Sequence, residues 1–189
     1  NVALDLLAAG APQEAEAAAR AQLDAADNMT DELAATAALA LIGGAAREEA
    51  LARFIARHRD NPLLVDKWLG LHASLADDDA PARIEALTRD AAFAWSNPNR
   101  VRALFAMFAM ANPSQFHRRD GAGYRLLVEA AAKVDPANPQ LAARLLTGFK
   151  TWRIMESGRR AQAQAALRWL AARENLSRDA SDIVSRSLA

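Results

Sequence analysis

Residues 96–102 read SNPNRVR. Asparagine is a favoured helix N-cap, because its side-chain oxygen accepts from a backbone N–H that has no partner within the helix. Proline at the next position sacrifices nothing, since that position has no N–H bond to lose. Proline also pushes the preceding residue out of helical geometry, which fixes the boundary. The dipeptide recurs as Asn61-Pro62, Asn112-Pro113 and Asn138-Pro139. Each copy therefore predicts a helix start, and an apolar stripe at helical spacing follows most of them.

Outward from these four points the rest of the chain also reads as helix. GAPQEAEAAARAQLDAAD carries Pro12 near a first turn with acids after it. NMTDELAATAALALIGG offers Thr30 as N-cap and Gly43-Gly44 as the stop. AAREEALARFIARHRDN sets Leu51, Phe54, Ile55 and His58 on one face, and Pro62 opens a helix that aligns Leu64, Trp68, Leu71 and Leu75. Pro81 opens a short helix, AAFAWS reads as a connector, and GAG at 121–123 reads as a turn. NPQLAARLLTGFKTWRIM reads as one helix, and Ser177 as the cap of the last one. No segment alternates with period two, so no strand is expected. The fold class expected is all-α, an irregular superhelix of antiparallel helix pairs of HEAT/armadillo-like type. The Asn-Pro copies stand 36, 15 and 26 residues apart, which is no fixed period. Residues 1–189 are expected to form a single helical domain.

Composition narrows the function. Of 189 residues, 52% are hydrophobic, a globular balance rich in alanine, which favours helices that approach closely. Lys and Arg number 23 and Asp and Glu number 23, so no net charge draws the chain to nucleic acid or to an anionic membrane. No cysteine is present, which removes disulfides and thiolate metal sites and fits a reducing compartment. No apolar run approaches the roughly 20 residues of a membrane span. The opening NVALDLLAAG reads like the end of a helix, as if the sequence were cut from a longer polypeptide.

The usual chemistry is missing. There is no HExxH, and His58, His72 and His117 stand apart. No phosphate-binding glycine loop or nucleophile elbow occurs. The acids of DDD at 77–79 read as a solvated loop, the basic HRRDG and SGRRAQ as surface patches, and the four tryptophans as packing residues. Arg100 and Arg102 differ in one respect. They lie in the first turn of a helix, where the macrodipole disfavours cations, so something compensates for them. Surface ion pairing is the plain explanation, and residue chemistry alone leaves the matter open there.

The wording of the chain adds a resemblance. HRDNPLLVDKWLGLHAS, FAWSNPNRVRALFAMFAMANPSQFHRRDGAGYRLLVE, DPANPQLAARLL and RENLSRD, taken in order, resemble the C-terminal domain of bacterial aminopeptidase N, also called alanyl aminopeptidase, a gluzincin zinc peptidase. The resemblance runs from about residue 57 to the end. It implies a four-domain parent whose helical last domain caps the catalytic domain and encloses a chamber over the zinc. The family's HExxH and GAMEN motifs lie in the catalytic domain and do not occur here. The resemblance therefore implies that this segment holds no catalytic residue and no metal, with zinc elsewhere in the parent. It further implies that Arg102, Gln140 and Arg144 face the chamber on the side where the peptide extends beyond the scissile bond, with Asn99 and Arg100 holding the helix start or a domain contact. The expected partners are the catalytic domain of the same chain and a peptide substrate, with no nucleic acid or membrane, in a cytoplasmic enzyme. The alternative expectation is a free-standing helical-repeat scaffold that binds a protein partner on its concave face.

Overall fold

The computed structural model describes residues 1–189 and contains helices, turns and no strand. The helices are α1 (Val2–Gly10), α2 (Pro12–Ala25), α3 (Met29–Ile42), α4 (Gly44–His58), α5 (Pro62–Ser74), α6 (Ala80–Leu87) and α7 (Pro98–Val101). A π-helical segment, Arg102–Ala106, continues directly into α8 (Met107–Ala111). There follow α9 (Pro113–Phe116), α10 (Ala122–Val134), α11 (Pro139–Leu146), a 3₁₀ segment (Thr147–Ile154), α12 (Ser157–Ala171) and α13 (Arg178–Leu188). The all-α expectation holds. The chain divides into two compact units, Asn1–Leu71 and His72–Ala189, with the division inside α5.

In the first unit, α1 to α4 pack on their sequence neighbours, and α1 also packs on α3. The seam is built from alanines: Ala15, Ala19, Ala35 and Ala38 are fully buried, with Leu4, Leu23 and Leu39 filling the gaps. Small side chains let the backbones approach, and many short contacts replace a few large ones. Gly43 ends α3 at φ +90°, a conformation that costs a residue with a Cβ and suits glycine. Thr30 does not cap that helix. Asn28 does, accepting from the Asp31 N–H, because the helix begins at Met29, two residues earlier than a Thr30 cap requires. Glu32 is buried and accepts from His58 Nε2 at 2.9 Å, with Arg57 3.6 Å away. The Trp68 indole N–H donates to the Leu51 carbonyl at 3.1 Å, which ties α5 to α4.

The second unit is centred on α10, which packs on α6, α9, α11 and α12; α11 and α12 both pack on α13. Phe108, Phe116, Tyr124 and Phe149 form an aromatic cluster in which Phe116 meets its three partners edge-on at 5.2–5.9 Å. The GAG segment is a turn only in part. Gly123 already belongs to the first turn of α10, and a Cβ there would sit 2.4 Å from the Phe116 carbonyl oxygen. The helix expected to run through 139–155 tightens to 3₁₀ after Leu146. Thr147 Oγ1 bonds the Arg144 carbonyl at 2.7 Å, competing with the helical N–H partner, and glycine follows at once. Trp68 and Trp152 are buried as packing residues, whereas Trp169 is 45% exposed beside the Arg173 guanidinium.

Candidate functional site

The segment 90–106 is held from three directions. Asn97 Oδ1 accepts from the Asn99 N–H at 2.9 Å and the Arg100 N–H at 3.4 Å, the capping geometry that Asn-Pro predicts. Arg100 turns back and is buried; its Nε donates to the Ala92 carbonyl at 3.0 Å, and Ala92 in turn donates to Asp90 Oδ1 at 2.7 Å. The buried arginine thus fastens the helix start to the connector that precedes it. Hydrogen bonding to the connector offsets the unfavourable placement of this cation in a first turn. Below, Val101, Leu104 and Phe105 are buried, and Phe105 stacks on Trp95 with centroids 5.3 Å apart.

Arg102 points the other way. It is exposed, it is the first residue of the π segment, and its Nη2 donates to Asn99 Oδ1. The π segment packs against α11. There Asn138 caps the helix by accepting from the Leu141 N–H at 3.0 Å. Leu141, Ala142, Leu145 and Leu146 form the buried face of α11. Gln140 and Arg144, four residues apart, share its exposed face. The structure therefore carries all three sequence-predicted residues exposed, on two elements of one unit that pack together. Two cations and an amide so placed can bind carbonyl or carboxylate oxygens.

Sequence reasoning did not find the cleft of about 350 Å³ beside this segment, lined by Arg89, Trp95, Phe105, Glu129 and Lys133 among others. Lys133 Nζ stands 4.3 Å from the centre of the Trp95 ring. The pairing of two aromatics in AAFAWS was its only signal. Nor did it find the role of Asn112, the one Asn-Pro copy whose side chain makes no capping bond. Asn112 is wholly buried, and its amide donates to the Ala73 carbonyl at 3.0 Å and to the Leu75 carbonyl at 2.8 Å.

The remaining polar groups pair with one another within the chain. His117 Nδ1 lies 2.8 Å from Tyr124 Oη, and Arg159 donates to the His117 carbonyl. Burial, with Arg159 nearby, lowers the His117 pKa, and burial pushes the Tyr124 hydroxyl up to about 12. The Glu156 carboxyl is held below its ordinary range by the Gly158 and Arg159 backbone N–H groups at the start of α12. Asp77 of the acidic loop pairs with Arg83 at 2.7 Å. No group of three or more His, Cys, Asp or Glu side chains is placed to hold a metal ion. No helix is long and apolar enough to cross a membrane.

A family model described as "Domain of unknown function (DUF3458_C) ARM repeats" matches residues 1–189. Aminopeptidase N of Caulobacter vibrioides is 36% identical over 188 residues, covering 100% of this chain and 22% of that protein. Aminopeptidase N of Escherichia coli is 34% identical over 189 residues, again 100% of this chain and 22% of that protein. A crystal structure of Legionella pneumophila aminopeptidase A in complex with aspartic acid superimposes with a TM-score of 0.87 at 29% identity, covering 93% of this chain and 21% of that one. This chain thus spans about one fifth of the length of the relatives it matches.

Proposed function

The chain belongs to the family described as Domain of unknown function (DUF3458_C) ARM repeats, and we propose that it serves as the non-catalytic C-terminal domain of a zinc aminopeptidase. In this reading residues 1–189 act as one domain of a four-domain cytoplasmic parent that removes N-terminal residues from peptides. The domain caps the catalytic domain and encloses the chamber over the zinc. The zinc and the general base belong to the catalytic domain. Arg102, Gln140 and Arg144 contact the peptide on the product side. The observation that carries the proposal is similarity to two aminopeptidases N along the whole of this chain. The exposed placement of the two arginines and the glutamine on packed elements supports the binding role.

Enclosure gives these groups their leverage. A chamber that excludes water lowers the local dielectric, and a guanidinium–carboxylate contact there is worth more than on an open surface. Arg102→Ala in the full-length enzyme is expected to raise KM for tripeptides about tenfold or more, the loss of one charge-assisted contact. Single-residue chromogenic substrates, which do not reach the product side, should show a much smaller change. Steady-state kinetics on both substrates check this, and equal effects would refute the role given to Arg102.

A further inference from the structure

The partner of Arg102 is neutral. Asn99 Oδ1 accepts from its Nη2, and no carboxylate pairs with it. A residue three positions before an arginine on a helix is well placed to hold its guanidinium, and aspartate is the side chain that usually does so. Aspartate would also suit the first turn of a helix on electrostatic grounds. Asparagine gives the same oxygen at the same reach without the negative charge.

We propose that Asn99 is a positioning residue that holds the Arg102 guanidinium in a fixed direction while leaving its charge unneutralised, so that it receives the C-terminal carboxylate of a short peptide. This rests on the product-side reading above and goes beyond it by naming the chemical group bound and the residue that prepares the site. The backbone beneath the pair is already fixed. Asn97 accepts from the N–H of Asn99, and Arg100 anchors the same turn to the Ala92 carbonyl. Val101 and Leu104, on either side of Arg102, are fully buried. The remaining freedom is that of the exposed arginine side chain, and the Asn99 oxygen restrains it before substrate arrives.

The test compares wild type, Arg102→Ala, Asn99→Ala and Asn99→Asp in the full-length enzyme. Each is assayed on a tripeptide with a free C-terminal carboxylate and on the same tripeptide amidated. Asn99→Ala frees the guanidinium and should raise KM for the free acid about threefold to tenfold, the cost of ordering one long side chain on binding. Asn99→Asp should raise it further, because the new carboxylate neutralises Arg102 and repels that of the substrate. On the amidated peptide the gap between the two variants should close, and KM rather than kcat should carry the change. A purely structural role for Asn99 would make the two variants equal on both peptides, and that result overturns the proposal. Asn99 variants that match wild type while Arg102→Ala is impaired would overturn it too, leaving the product-side reading intact. An Arg102→Ala enzyme with an unchanged tripeptide KM would remove both.

Discussion

Four asparagines stand before four prolines, and three of them do what the dipeptide predicts. Asn61 Oδ1 accepts from the Leu63 N–H at 3.1 Å, and Asn97 and Asn138 cap in the same way. Asn112 spends its side chain on two carbonyls at residues 73 and 75, nearly forty positions back in the sequence. Nothing local separates it from the others, because the capping signal is written within a few residues and the cross-link is not. Asn112→Ala takes the side-chain donor from the buried Ala73 carbonyl and leaves the Leu75 carbonyl to the Arg83 guanidinium, and is expected to cost about 1–3 kcal/mol of stability by denaturant unfolding. Asn61→Ala, an exposed cap, should cost only about 1 kcal/mol in the same measurement. Arg100 carries a similar lesson. The sequence marks it as a cation in an unfavourable place, and only the fold shows that the connector carbonyl of Ala92 receives it.

At the scale of elements, helix ends are joined by buried polar contacts rather than by long loops. Asp135, at the end of α10, is buried and accepts from both the N–H and the hydroxyl of Ser177, at 2.7 and 2.5 Å. Ser177 in turn caps α13 by accepting from the Ala180 N–H at 3.2 Å. Ser177 is legible as a cap from ENLSRD; Asp135 is not, since its partner lies 42 residues away. Ser177→Ala removes the cap and one bond to a buried carboxylate together, a loss of about 2–4 kcal/mol. Amide exchange along α13 should rise well before that along α10. Gly123→Ala tests the seam between α9 and α10. A methyl group there meets backbone at 2.4 Å, so the helix must shift, at a cost of about 1–3 kcal/mol or more.

At the scale of the whole molecule, the sequence made the fold class visible because a chain so rich in alanine, broken by capped prolines, has few alternatives to packed helices. The candidate site was visible only through wording shared with relatives. Arg102, Gln140 and Arg144 are exposed residues whose use depends on what lies outside the chain. Global stability should also respond to pH through the pair of half-buried His117 and buried Tyr124 at the aromatic cluster. The folded pKa of His117 lies below its ordinary 6.5, so its contribution is full above 6.5 and is lost as pH falls toward the folded value. Tyr124 acts at the other limit. Its folded pKa of about 12 exceeds 10.0, so its contribution is full below 10.0 and is lost as pH rises toward 12. Thermal melts should therefore fall off on both sides of a neutral plateau. His117→Gln is expected to flatten the acid side selectively.

The π segment has a consequence for insertions and deletions. A π turn houses one residue more than an α-helix of the same rise, so Arg102–Ala106 is a place where the chain can lose a residue and still close as a regular helix. The helix would survive such a deletion, but its two halves would rotate against each other by about 100°. Leu104 and Phe105 could then keep their burial only if the turn that carries Arg102 rotated away from its present direction. Deletion of Ala103 should therefore leave a folded protein whose helix content is unaltered and whose arginine points elsewhere.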